Sequence, residues 1–236
     1  MESAMDTPEL SIVIPVYDES GNILPLVEEV RSVLDRRLRY EIIFVNDGST
    51  DGTGREIETQ VAAHEVVRSV HHPVNYGQSA AVRTGVEAAR SATIAVMDGD
   101  GQNDPKDILR LYGQLRAVRC LRMVIGERQR RQDGWLRRLS SRVANAARSR
   151  LLGDGFRDTG CGIKVFYRND YLGLPAFNHM HRFLPALMRR NGRAVWSIPV
   201  NDRPRRCGRS KYVVNKRLWV GIADLLGVMW LQKRQL

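Results

Sequence analysis

Between residues 10 and 118 the chain alternates short apolar runs with amphipathic stretches, and this alternation limits the fold more than any other feature. Leu10–Pro15, Glu41–Val45, Val66–Val70 and Thr93–Met97 read as strands. Gly21–Leu38 sets Ile23, Leu26, Val27, Val30, Val33 and Leu34 on one helical face. Thr53–Ala63, Gly77–Arg90 and Pro105–Val118 read as further helices, the last with proline in its first turn. Strand–helix repetition predicts an α/β fold, a mainly parallel sheet with helices on both faces. Such sheets bind ligands beyond the carboxyl ends of their strands. Three of those ends carry polar residues: Pro15-Val16-Tyr17-Asp18-Glu19, Asn46-Asp47-Gly48-Ser49 and Asp98-Gly99-Asp100.

The third end is the most specific chemically. Side chains two apart on an extended segment point the same way, so Asp98 and Asp100 can face one ligand. Nearby carboxylates repel unless a cation lies between them, and hard oxygen ligands suit Mg²⁺ or Mn²⁺. Taken alone, the same residues also make an ordinary acidic turn.

The second half is less regular. Met123–Ile125, Gly162–Phe166 and Val195–Val200 read as strands; Trp135–Leu152, Phe183–Asn191 and a last stretch from Val214 read as helices. Charge divides the chain sharply. Residues 1–113 carry 10 Lys/Arg and 19 Asp/Glu, whereas residues 114–236 carry 27 and 7. Only five of the cationic residues in the whole chain are lysines. Arginine's planar fork matches phosphate and carboxylate oxygens, so the basic half suits nucleic acid, lipid headgroups or a phosphorylated substrate, or else forms a solubilising surface. Cys120, Cys161 and Cys207 are far apart and odd in number, without zinc-ligand spacing, which favours a reducing compartment. Met1–Asp6 shows no secretory signal pattern, and no run reaches the about 20 apolar residues of a membrane span.

Four segments in order carry a family resemblance: Ile12-Val13-Ile14-Pro15-Val16-Tyr17-Asp18-Glu19, Phe44-Val45-Asn46-Asp47-Gly48-Ser49-Thr50-Asp51-Gly52-Thr53, Asn75-Tyr76-Gly77-Gln78-Ser79-Ala80-Ala81, and Met97-Asp98-Gly99-Asp100-Gly101-Gln102-Asn103-Asp104-Pro105. Together they resemble the inverting family-2 glycosyltransferases, whose fold is the nucleotide-sugar-binding GT-A domain. Gly126-Glu127-Arg128, Asp158-Thr159-Gly160-Cys161-Gly162, His181-Arg182-Phe183-Leu184-Pro185 and Arg203-Pro204-Arg205…Gly208-Arg209-Ser210-Lys211-Tyr212 narrow the resemblance to the dolichyl/polyprenyl-phosphate mannosyltransferase group. The resemblance implies a GT-A domain over residues 1–212 and a C-terminal amphipathic helix over 213–236.

It also implies roles. Pro15, Tyr17, Glu19 and Asp47 would line the base and ribose pocket of a GDP- or UDP-sugar. Asp98 would meet the donor phosphates, and Asp98, Asp100 and Gln102 would hold Mg²⁺ or Mn²⁺. Asp98, Asp100 and Arg128 would be catalytic. Family members acting on a sugar hydroxyl need a carboxylate base, commonly at the start of the helix that Asn178-His179-Met180-His181-Arg182 occupies here, and no Asp or Glu stands there. A phosphate acceptor needs no base, because a phosphomonoester has a second pKa of about 6. Arg128, Arg137, Ser141 and Arg205 would hold that phosphate, with Arg203 and Lys211 as further candidates.

The expected activity is metal-dependent transfer of mannose or a related hexose to a polyprenyl phosphate at the cytoplasmic face of the inner membrane, with peripheral attachment and a possible oligomeric or membrane partner. Leu218–Leu231, flanked by Lys216-Arg217 and Lys233-Arg234, suits an interfacial helix, a face packed on the domain or a dimer contact. The alternatives are transfer to a sugar or protein hydroxyl, with His179 or His181 as base, and a basic nucleic-acid-binding module. The latter is disfavoured by the acidic rim and by the lack of an aromatic-interleaved or helix-turn-helix pattern. A nucleotidyltransferase is disfavoured because Pro15-Val16-Tyr17 stands where such enzymes place a glycine-rich loop.

Overall fold

Every strand and helix expected between residues 10 and 118 forms in the computed structural model, which describes residues 7–129, 148–205 and 214–234. The order is β1 (Leu10–Val16), α1 (Ile23–Leu34), β2 (Tyr40–Asp47), α2 (Thr53–Ala63), β3 (Val67–His72), α3 (Gln78–Ala88), β4 (Thr93–Val96) and α4 (Pro105–Ala117). The chain continues through β5 (Leu121–Arg128), β6 (Lys164–Tyr167), α5 (Arg168–Leu172), a 3-10 turn (Met180–Arg182), α6 (Leu184–Arg190), β7 (Ala194–Val200) and α7 (Val214–Gln232). Residues 148–152 are helical, and the rest of the expected Trp135–Leu152 helix lies outside the described residues.

The seven strands form one sheet in the order β3-β2-β1-β4-β6-β5-β7. β6 runs antiparallel to both its neighbours, while the other pairings are parallel. Side-chain alternation along β1 and β2 divides the core into two layers. Ile12, Ile14, Ile42 and Phe44 pack with Ile23, Leu26, Ile57, Ile108 and Leu111 of α1, α2 and α4. Val13, Ile43 and Val45 pack on the opposite side with Val82 and Val86 of α3, Tyr171 of α5 and Leu184 and Leu187 of α6. Phe44 is fully buried, and truncating such a ring to alanine costs about 3–5 kcal/mol.

Two boundaries have clear causes. α1 stops four residues before the expected Leu38 because Arg36 takes a left-handed conformation at φ 64°. α4 starts at Pro105, and the Asp104 carboxylate accepts from the Lys106 amide at 3.0 Å. Pro15 is tolerated in a central strand for a topological reason. The Val13 carbonyl faces β4 and accepts from the Met97 amide, so Pro15 turns the same backbone edge to β4. The β1–β4 ladder has already ended at Val13–Val96, and the missing N–H costs no pairing.

Between β1 and β4 the order of connection reverses, with β2 and β3 on one side and β4 on the other. Such a switch point opens a crevice at the carboxyl ends of the two strands. The segments after β1 and β4 flank it.

Candidate active site

The loops around this crevice are bound to one another by short polar contacts. Asp18 sits at φ 46°, where its Oδ1 accepts from the Thr50 amide at 2.7 Å and its own amide donates to Ser49 Oγ at 2.9 Å. The Glu19 amide donates to Thr53 Oγ1 at 2.8 Å. These bonds fix the loop after β1 to that after β2. Tyr17 and Glu19 are partly exposed, and Glu19 Oε2 accepts from Asn22 Nδ2 at 2.8 Å.

Asp47 is buried at the end of β2 with both oxygens engaged. Oδ1 accepts from the Tyr76 amide at 2.9 Å and meets His72 Nδ1 at 2.7 Å; Oδ2 accepts from the Gly77 amide at 2.8 Å. The structure therefore places Asp47 as a clamp on the 74–77 loop. That clamp has a consequence one residue further on, because Gln78 Nε2 donates to Asp98 Oδ1 at 2.9 Å.

Asp98 and Asp100 lie at the other side of the crevice. Gly99 between them packs against β1 so tightly that a Cβ there would collide with Val16 Cγ1. The Asp98 amide donates to Asn103 Oδ1 at 2.9 Å, and the Gln102 amide donates to Asp100 Oδ1 at 3.0 Å. Burial and then the charge of Asp100 push the Asp98 carboxyl up to about 6, against the opposing pull of Lys164, Arg128 and Arg205. Gly162 lies directly under this carboxylate, where any Cβ would overlap Asp98 Oδ2.

The donor chemistry fits a divalent cation. Asp98 and Asp100 supply hard oxygens, and their mutual repulsion is what a shared cation relieves. Among the described residues no trio of His, Cys, Asp and Glu side chains converges. Gln102 turns its Nε2 to the Arg203 carbonyl at 3.3 Å.

Three arginines border the acidic rim. Arg205 donates to Asp100 Oδ2 at 2.9 Å and to Glu19 Oε1 at 3.2 Å, bridging the ends of β4 and β1. Arg203 pairs with Asp104 at 2.6 Å and with Glu29, while its amide donates to the Gln102 carbonyl at 3.0 Å. Arg128, at the end of β5, grips Asp158 with Nε at 2.7 Å and Nη2 at 2.9 Å. Burial works against the Arg128 charge, but the bonds to Asp158 outweigh it and hold the guanidinium further into its charged form. Arg137, Ser141 and Lys211 lie outside the described residues.

Glu19, Asp98, Asp100, Gln102, Arg128, Arg203 and Arg205 thus belong to one linked rim, and Asp47 reaches it through the 74–77 loop and Gln78. The two histidines offered as alternative bases have structural partners. His181 Nδ1 meets Ser79 Oγ at 2.7 Å, and His179 Nδ1 meets Asp224 of α7 at 3.0 Å. Residues 11–172 match the family description "Glycosyl transferase family 2".

The chain belongs to glycosyl transferase family 2.

Relatives of this glycosyltransferase agree with that membership. A dodecaprenyl-phosphate galacturonate synthase from Rhizobium johnstonii is 36% identical over 95% of this chain and 68% of its own length. An undecaprenyl-phosphate 4-deoxy-4-formamido-L-arabinose transferase from Aeromonas hydrophila is 30% identical over 95% of this chain and 67% of its own. The chain therefore spans about two thirds of the length of these relatives. Glucosyl-3-phosphoglycerate synthase from Mycobacterium tuberculosis, solved with Mn²⁺, UDP-glucose and phosphoglyceric acid, superposes with a TM-score of 0.73 at 18% identity, covering 95% of this chain and 79% of that one. That likeness supports the GT-A fold of this family-2 enzyme.

Sequence reasoning passed over three residues of the rim. Gln78 stands in the third of the four recognised segments, where it was assigned no role. Asp158 stood inside a recognised segment without a role of its own. Lys164 carried a readable signal, a lone lysine at the head of the apolar run Val165-Phe166.

Proposed function

We propose that this glycosyltransferase moves a hexose from a nucleotide-sugar donor to a polyprenyl phosphate, with inversion at the anomeric carbon and with a divalent cation at Asp98, Asp100 and Gln102. The observation that carries the reading is the rim itself, where donor-side carboxylates face arginines and the 178–182 segment offers no carboxylate base. Both histidines of that segment are engaged through Nδ1, His181 with Ser79 and His179 with Asp224, and an acceptor phosphate is ionised without help from either. Relatives named for dodecaprenyl- and undecaprenyl-phosphate products support the same acceptor class.

In this reading Pro15, Tyr17 and Glu19 line the nucleotide pocket, and Asp47 shapes it by holding the 74–77 loop. A bound Mg²⁺ or Mn²⁺ supplies charge that stabilises the departing diphosphate. Arg128 and Arg205, with Arg137 and Ser141, hold the acceptor phosphate against the anomeric carbon. A phosphate oxygen forms the new bond to that carbon as the bond to the nucleoside diphosphate breaks, and no proton need be removed. Arg205 must exchange its bonds to Asp100 and Glu19 for the substrate phosphates as they enter.

The reading includes peripheral attachment to a membrane. α7 packs Leu225, Val228 and Met229 on the domain, and Ile222, Leu226 and Trp230 form an exposed stripe on its other side. Arg234 stacks on the Trp230 ring at 4.8 Å, a pairing suited to an anionic interface. No helix among the described residues is long and apolar enough to cross a bilayer.

The test is incorporation of label from GDP- and UDP-sugars into the organic phase. The reading expects Mn²⁺- or Mg²⁺-dependent incorporation with undecaprenyl phosphate and none with undecaprenol; equal incorporation with both would favour a hydroxyl acceptor.

A further inference from the structure

Lys164 is the most deeply buried cation of the rim, and it has no place in the mechanism above. It opens β6, where it is paired with Val96 of β4 on one side and with Ile125 of β5 on the other. Only 5% of the residue is exposed, and its Nζ donates to the Cys161 carbonyl. Among the described residues no carboxylate lies within ion-pairing distance of it. Burial of an ammonium without a direct counter-charge is costly, and an apolar side chain of similar length could fill the same space. Burial accordingly lowers the Lys164 pKa, although the charges of Asp98 and Asp158 act in the opposite direction.

The surroundings supply a reason for keeping the charge. Lys164 follows the 158–163 loop, which holds two contacts central to the rim. At one end Asp158 grips Arg128; at the other Gly162 supports the Asp98 carboxylate from below. The Cys161 carbonyl, held by Nζ, lies between those two points. With Arg128 and Arg205, Lys164 is one of three cations whose charge opposes the raised Asp98 pKa. Cys161 itself is fully buried, with burial pushing its thiol up to about 11, so it contributes a carbonyl and no nucleophile.

We propose that Lys164 is a positioning residue for sugar transfer: its ammonium, anchored on the Cys161 carbonyl, holds the 158–163 loop so that Asp98 and the Arg128–Asp158 pair keep their relative placement. Lys164 touches neither substrate. It acts through the loop that its Nζ anchors.

The inference deepens the functional reading and rests on it, but part of its test is independent of any acceptor. Lys164→Met keeps the length of the stem and removes both charge and donor. Hydrogen exchange on this variant is expected to speed up in residues 158–163 by at least tenfold, with β1, β2 and β4 unchanged. Protection equal to wild type in that loop would overturn the proposal, and so would a loss spread evenly over the sheet, the mark of a merely structural lysine. Where wild type transfers sugar to undecaprenyl phosphate, Lys164→Met is expected to lower kcat at least tenfold, with calorimetric donor affinity within twofold. Lys164→Arg, which keeps a cationic donor, should recover most of that loss. Full turnover by Lys164→Met contradicts the proposal without touching the functional reading, whereas an inactive wild type contradicts the functional reading and leaves the exchange result to decide on Lys164. If Lys164→Met fails to fold, the exchange and the kcat-against-affinity split are read on Lys164→Gln, with the same outcomes deciding.

Discussion

The acidic first half and the arginine-rich second half use their charges in different ways. On the donor side Asp18, Asp47 and Asp104 spend their carboxylates on backbone amides, fixing loops at the strand ends. On the other side many guanidinium groups are bound within the protein. Arg148 pairs with buried Asp154, Arg122 and Arg193 share Asp170, and Arg190 donates to the Leu231 and Arg234 carbonyls at the end of α7. Arg168 holds the Val86 and Glu87 carbonyls of α3. A net charge computed from sequence treats all of these as available to an outside anion, yet much of the positive charge is internal bonding. At the rim itself, Arg128 and Arg205 also lie against carboxylates of this chain.

That comparison can be broken at several points. The largest effect belongs to the carboxylate pair. Asp100→Asn removes a hard oxygen ligand and the partner of Arg205, and transfer should fall by about 10³-fold, read as turnover of labelled donor. Loss of less than tenfold would remove Asp100 from the metal side. Next comes Arg128→Ala, which leaves buried Asp158 without its bidentate partner. Stability should drop by about 3–5 kcal/mol in denaturant titration, and an Arg128→Ala/Asp158→Ala double variant should recover much of it. The double variant should still bind donor but show a raised KM for the lipid phosphate, separating the acceptor role from the fold.

Asp98 connects charge to pH. Its folded pKa of about 6 lies above the unfolded value of about 3.9, so the native state binds the extra proton between those values. Its contribution to stability is therefore greatest at low pH and declines as pH rises through that window. Asp98→Asn should raise the thermal midpoint at pH 7.5 and leave it nearly unchanged at pH 4, while abolishing transfer. A smaller effect is expected for Gly162→Ala, whose methyl group must displace the Asp98 carboxylate, costing about 1–3 kcal/mol and slowing transfer. The smallest belongs to Arg83→Ala, which removes an exposed i,i+4 pair with Glu87; stability should change by about 0.5 kcal/mol or less and turnover not at all.

The parallel part of the fold was legible because β1 to α4 repeat a local pattern, and each local preference agrees with the global sheet. β6 was found as a strand, but its antiparallel direction depends on pairing between β4 and β5, which no local pattern encodes. α5 and the Met180–Arg182 turn are too short to carry a period. At the site, Asp98 and Asp100 were readable because i and i+2 in an extended segment share a face. Asp47's clamp on Tyr76 and Gly77 was not readable, since it joins residues about thirty positions apart. Arg205 was expected against an acceptor phosphate and is found bonded to Asp100 and Glu19, a contact between chain segments more than a hundred residues apart.

The account's central claim is that sugar is joined to a phosphate oxygen, with no carboxylate base supplied by the 178–182 segment. Phosphorus NMR of undecaprenyl phosphate incubated with enzyme, nucleotide sugar and Mn²⁺ tests it directly. The account predicts that the monoester resonance is replaced by that of a phosphodiester, in step with release of nucleoside diphosphate. A monoester that persists while sugar is transferred elsewhere, or nucleoside diphosphate released without any new phosphodiester, would contradict it.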